Sequence, residues 1–157
     1  MKNPIKYIVL IYLFATILSG CKKSSTPEPI IPDTTKPTIT IVKPTAGQIF
    51  ILGTPITFQA TFADNVKLGS YDITITKVIT SGFILKNVPT PIAWSYTKGS
   101  TNFTSIDKQQ EINLNDITIP LLIGTSPVTT GDYNFKVTCA DAAGNISIPT
   151  TLVIKIN

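Results

Sequence analysis

The chain has 157 residues, of which 13 are basic, 9 acidic and none histidine; every basic residue is a lysine. Without His there is no Ser-His or Cys-His dyad and no imidazole-ligated metal, and without Arg there is no bidentate guanidinium clamp for phosphate or carboxylate. Only 14% of residues are charged and 43% are hydrophobic, which excludes a disordered chain and leaves one folded domain as the natural reading.

The N-terminus reads as an address. Lys2 and Lys6 precede an apolar run, Ile8–Leu18, which falls short of the roughly 20 residues that a spanning helix needs and fits the core of a secretory leader. The run ends in Leu18-Ser19-Gly20-Cys21, which resembles the bacterial lipobox. That resemblance implies that the Cys21 thiol takes diacylglycerol, that cleavage removes Met1–Gly20, and that acyl chains of the palmitate type hold the chain on a membrane. Cleavage takes Lys2 and Lys6 away, so 13 basic residues become 11 against 9 acids and the net charge falls from +4 to +2. The remaining lysines are scattered, and no nucleic-acid partner is expected. Lys22-Lys23 follow Cys21; by the sorting pattern of diderm lipoproteins the absence of Asp there implies the outer membrane, and the absence of an acidic cluster leans to its periplasmic leaflet, with periplasmic and surface faces both left open.

Residues 21–36 form an expected tether. Its Ser, Thr and Pro content favours extended backbone. Asp33-Thr34-Thr35 resembles the O-glycosylation pattern of Bacteroidota and marks Thr34 as a possible acceptor.

From residue 37 to 157 the pattern is that of short strands. Thr38–Val42 alternates and stops before Pro44. Gln48–Leu52 follows a turn. Pro55–Ala63 places Ile56, Phe58, Ala60 and Phe62 on one face. Ser70–Thr80 places Tyr71, Ile73 and Ile75 inward. Ile92–Tyr96 alternates, Glu111–Ile119 does so weakly, Tyr133–Cys139 places its odd positions inward, and Thr151–Ile156 closes the chain. Seven or eight such strands with turn residues between them predict an all-β antiparallel sandwich. Gly144-Asn145 suits a tight turn, and Tyr133 stands where a tyrosine corner would tie two sheets together.

The series Pro44, Gly47, Phe50, Gly53, Ile56, Phe58 and Ala60, then Asp64-Asn65, Leu68 and Tyr71, then Gly131, Tyr133 and Phe135, then Cys139, Asp141 and Ala143-Gly144-Asn145 resembles bacterial immunoglobulin-like modules. It is most similar to a family of uncharacterised Bacteroidota lipoproteins built from one such module. The resemblance implies an immunoglobulin-like sandwich with no assigned ligand. Family members tend to carry a His-rich stretch after the third strand, where this chain has Lys77-Val78-Ile79-Thr80.

Candidate sites are few. Cys139, the one thiol left beside Cys21, shares the inward phase of its strand and is expected to be buried and inert. Asp64, Asn65, Asp141 and Asn145 fall at one end of a sandwich and offer hard oxygens for Ca²⁺; the same residues shape turns, and without an Asp-x-Asp run the expectation is no metal. Trp94, Tyr96 and Phe103 are possible ligand-contact aromatics: exposed, they would form a glycan platform, and buried, they fill the core. Core is expected for Trp94, while Phe103 is the one expected to be exposed. Ser105-x-x-Lys108 has the spacing of penicillin-recognising enzymes but none of their other motifs. No catalytic group emerges, so the chain is expected to be no enzyme. It is expected to be an envelope lipoprotein that acts as a protein-interaction or adhesion module, with glycan binding as the alternative.

Overall fold

A computed structural model describes residues 31–79, 90–103 and 108–157. Cys21, the leader, the start of the tether and Ser105 lie outside the described residues. Residues Pro32–Asn157 form one compact unit. Its described residues contain strands and turns, with no helix long and apolar enough to cross a membrane.

The strands are β1 (Thr38–Lys43), β2 (Ile49–Phe50), β3 (Pro55–Ala63), β4 (Leu68–Lys77), β5 (Ser95–Asn102), β6 (Gln109–Thr118), β7 (Leu122–Ile123), β8 (Ser126–Pro127), β9 (Gly131–Asp141) and β10 (Thr150–Ile156). They form a three-stranded sheet, β1-β3-β6, and a five-stranded sheet, β2-β10-β9-β4-β5, with β7-β8 as a separate small hairpin. Pairing is antiparallel except where β2 runs parallel to β10. The chain leaves the first sheet after β1, passes a cis Lys43–Pro44 bond, and enters the second sheet as β2.

Period-2 alternation drives this arrangement, because every second side chain of a strand faces the opposite sheet. Ile56, Phe58, Ala60 and Phe62 of β3 are fully buried, as are Ile73 and Ile75 of β4, Tyr133, Phe135 and Val137 of β9, and Ile154 and Ile156 of β10. Phe58 and Phe135 stack across the two sheets at 5.7 Å, and Phe62 meets Tyr71 at 5.3 Å. The fold is therefore an all-β sandwich with its core between a three-stranded and a five-stranded layer. Burying a large apolar side chain contributes about 1.5–3 kcal/mol, so this aromatic and aliphatic layer is the main source of stability. At one side of the sandwich Lys98 of β5 reaches Asp116 of β6 at 3.0 Å, joining the two sheet edges.

Tyr133 does form a corner. Its hydroxyl donates to the Thr129 carbonyl just before β9, which fixes the chain where it enters that strand from the β7–β8 side. Burial pushes the Tyr133 hydroxyl above its ordinary pKa, a hydrogen bond from the Trp94 backbone only partly opposing it.

The fifth strand departs from expectation. The apolar alternation over Ile92–Tyr96 belongs mostly to a connection that precedes the strand, and β5 itself runs from Ser95 to Asn102. This is an edge strand with a polar, half-exposed sequence, so it carries no strong alternation. Ile92 instead forms a single parallel bridge to Val128.

Candidate functional site

The two ends of the sandwich differ in chemistry. At the end where the chain enters at Pro32, two turns and the entering segment converge. The β3–β4 turn is closed by Asp64, whose Oδ2 accepts hydrogen bonds from the Val66 and Lys67 amides at 2.9 and 2.8 Å. The turn after β9 is closed by Asp141, whose carboxylate accepts the Asn145 backbone N–H and side-chain amide, each at 2.7 Å. Gly144 in that turn has φ +93°, a region open to glycine and costly for other residues. The ladder places Leu68 opposite Asp141, which brings the two turns side by side.

Asp33 completes the group. Its carbonyl accepts the Asn145 amide at 3.0 Å, and its Oδ1 accepts the Asn65 amide at 3.2 Å and the Thr35 N–H at 3.0 Å. Asp33, Asp64 and Asp141 thus bring one carboxylate oxygen each within 4.8 Å of one another. Burial pushes the Asp141 carboxyl up, but the combined hydrogen bonds from Asn145, Gly144 and Ala143 outweigh it and hold its pKa below the ordinary value. The four residues expected to converge, Asp64, Asn65, Asp141 and Asn145, are all present here. Asp33 gives no sign of membership in the sequence: it lies among prolines and threonines, and its partner Asn145 is 112 positions away. Thr34, beside it, is exposed.

The aromatic platform does not form. Trp94 is 7% exposed and sits in the core against Tyr133 and Tyr96, both with ring centroids 6.2 Å away. Tyr96 is half-buried and packs on the same core. Phe103, expected outside, is turned inward against Phe62 at 5.1 Å and Tyr71 at 5.3 Å. Its backbone N–H bonds to the Gly69 carbonyl and continues the pairing beyond β5, so its ring points to the same side as the core.

Cys139 is buried in β9. Burial, followed by the nearby Asp64, Asp141 and Asp72 charges, pushes its thiol up to about 12, so it is protonated near neutral pH and a poor nucleophile.

The opposite end has no such carboxylate group; its exposed side chains are mostly apolar, as Val66, Ile146 and Ile148 also are near the carboxylates. The Ile51–Thr54 turn is bonded to Ile119 through Gly53 N–H and the Thr54 carbonyl. The β7–β8 hairpin follows, with the Val128 amide bonded to the Leu121 carbonyl, and the Ile92 amide bonded to the Pro127 carbonyl. Ile51, Leu121, Leu122 and Ile92, joined by these bonds, are 64%, 60%, 54% and 42% exposed.

The family model described as a domain of unknown function (DUF4625) matches residues 19–157. The chain belongs to this family. No curated protein matches the sequence. Among solved structures, a point mutant of the SrpA adhesin from Streptococcus sanguinis is similar, at 20% identity and a TM-score of 0.44. The alignment covers 80% of this chain and 59% of the adhesin chain, so it spans less than two thirds of that protein.

Proposed function

We propose that this DUF4625 protein is a non-catalytic lipoprotein of the bacterial outer membrane, of the Bacteroidota type, whose immunoglobulin-like sandwich acts as a protein-interaction module. The observation that carries the reading is the apolar end formed by Ile51, Ile92, Leu121 and Leu122, opposite the end where the chain enters at Pro32. Isolated surface apolar residues are ordinary, but a group joined through adjoining turns marks a contact surface. A partner that covers these side chains gains about 1.5–3 kcal/mol for each one fully desolvated, and such buried anchors supply most of the energy of an interface.

Other features support the remaining parts of the reading. The family match begins at Ser19, two residues before Cys21, in keeping with lipid attachment there. The strand order, the parallel β2–β10 pair and the Tyr133 corner favour the immunoglobulin-like class. Thr34 is exposed and accessible to a glycosyltransferase. Trp94 is buried and Tyr96 and Phe103 are partly buried against the core, which favours the protein-interaction reading over the glycan-binding alternative.

Crosslinking in intact cells tests the proposal. The full chain should crosslink reproducibly to an envelope protein, and L121D with L122D should abolish that adduct without altering the amount of protein. An adduct pattern unchanged by these substitutions would refute the apolar end as the contact surface. Palmitate labelling should disappear in Cys21→Ala; labelling that survives would refute the anchor.

A further inference from the structure

Three carboxylates within 4.8 Å of one another repel, and among the described residues no ammonium group forms a salt bridge with them. Among the described residues the single salt bridge is Lys98–Asp116, on another part of the sandwich. Hydrogen bonds satisfy much of the cluster: Asn145 serves Asp141 and the Asp33 carbonyl, Asn65 serves Asp33, and two backbone amides serve Asp64 Oδ2. One oxygen is left over. Asp64 Oδ1 is buried and has no hydrogen-bond partner. A buried polar atom of this kind is rare, because it gives up its water and receives nothing in exchange. An orphaned carboxylate oxygen beside two further carboxylates calls for a positive charge.

The dimensions fit a calcium ion. Ca²⁺ binds oxygen at about 2.3–2.6 Å, so two of its ligands lie at most roughly 5 Å apart. The three aspartates meet that condition pairwise. Further oxygens are at hand in the Asp33 carbonyl and in the amides of Asn65 and Asn145, which present oxygen in place of nitrogen when turned over. An all-oxygen set drawn from two turns and the entering segment suits Ca²⁺, which accepts 6–8 ligands in adaptable geometry, better than Mg²⁺, which demands a tight octahedron and keeps its waters. The described part of the site offers no imidazole and no exposed thiol for zinc.

We propose that Asp33, Asp64 and Asp141 hold a Ca²⁺ ion, with Asn65 and Asn145 completing the site. The ion ties the segment entering β1 to the β3–β4 turn and to the turn after β9. It neutralises the repulsion among the carboxylates and gives Asp64 Oδ1 its missing partner. Affinity in the range of extracellular modules, with a dissociation constant on the order of 10⁻⁴–10⁻³ M, suits a site built on turns.

Calorimetric titration of the full chain in detergent micelles with CaCl₂, paired with melting curves, tests this. One saturable binding event per chain is expected, with a melting temperature about 4 °C or more higher at ten times the dissociation constant. MgCl₂ should bind at least tenfold more weakly. Asp33→Ala, which lies outside both sheets and leaves the core intact, and Asp64→Asn, which keeps the side-chain shape, should each weaken calcium binding at least tenfold. If Asp64→Asn does not fold, Asp33→Ala decides alone. No saturable response up to about 10 mM CaCl₂, or binding unchanged in Asp33→Ala, overturns the site; an equal response to MgCl₂ overturns its assignment to calcium.

Discussion

Replacing Gly69 with alanine tests how closely the β3–β4 turn and the end of β9 are joined. Gly69 lies in β4 where the register slips between Leu68 and Ser70, opposite Asp141 and Ala140. A Cβ at this position would overlap the Asp141 carbonyl oxygen and stand 2.7 Å from its carbon and 3.0 Å from the Ala140 oxygen. Ordinary contact begins at 3.4 Å, so the shortfall to the carbon is about 0.7 Å. Both partners are backbone, so no side chain can turn away; the strands themselves must separate. Overpacking of this kind costs about 1–3 kcal/mol. Parting the strands also weakens the bond from Ala142 N–H to the Lys67 carbonyl, now 3.0 Å, at about 1 kcal/mol. The lower entropy of the unfolded alanine chain returns about 0.4–1 kcal/mol. The net loss is about 1–3.6 kcal/mol, which lowers the melting temperature by roughly 4–17 °C at this domain size.

The single tryptophan, Trp94, buried beside Tyr96 and Tyr133, reports the transition by fluorescence. Gly47→Ala is the control. Gly47 has φ +75° with nothing within 4 Å of its Cβ position, so left-handed backbone strain of about 1–2 kcal/mol applies, offset by the same unfolded-chain term of about 0.4–1 kcal/mol. Gly69→Ala should therefore melt below Gly47→Ala. A melting temperature within about 2 °C of the wild type for Gly69→Ala would refute the steric argument.

Tyr133→Phe removes the hydroxyl that donates to the Thr129 carbonyl and should cost about 1–2 kcal/mol in urea unfolding, with an unchanged dependence on denaturant. Cys139 should resist thiol reagents in the native chain and react at once in denaturant, since burial holds its thiol at about 12. The same shift sets an alkaline limit. The unfolded chain releases this proton near pH 8.5 while the folded chain keeps it, so stability is level below about pH 8.5 and falls as pH rises above it. Cys139→Ala should flatten that decline between about pH 8.5 and 10, before Tyr71, Tyr96 and Tyr133, also raised by burial, contribute to it. An alkaline decline of equal slope in the variant would count against the buried thiol as its source.

Strands buried on one face were legible in the sequence because a single signal, alternation, both defines them and drives their burial. The expected Pro55–Ala63 strand coincides with β3, and the inward phase of Tyr133, Phe135, Val137 and Cys139 is the observed one. Legibility failed where that signal separates from its cause. In Ile92–Tyr96 the alternating apolar residues dock a connection onto the core, while β5 gains its place through edge pairing with β4 and needs no apolar face. Leu122–Pro127 is a hairpin of two-residue strands, too short for any periodicity to register. Phe103 looks exposed from its polar neighbours, yet its orientation is set by a backbone bond to Gly69, thirty-four positions earlier in the chain. Asp33 is the extreme case. A carboxylate in a proline-rich segment has no local feature that foretells partners at Asn65 and Asn145.

The sandwich keeps its two candidate surfaces apart. β9 runs from Gly131, beside the apolar end, to Asp141 in the carboxylate cluster, and at about 3.4 Å per residue its 11 residues span roughly 35 Å. The cluster is built of oxygens that attract a hydrated cation, and the far end of aliphatic groups that repel water, so neither can substitute for the other. Between them lies the buried core, in which Phe58 and Phe135 stack across the sheets. An ion at the proposed Asp33, Asp64 and Asp141 site would therefore act on the segment where the chain enters the domain, and a partner at the proposed Leu121 and Leu122 surface would act on the opposite tip. Their contributions to stability should add, because the two sites are far apart and share no side chain.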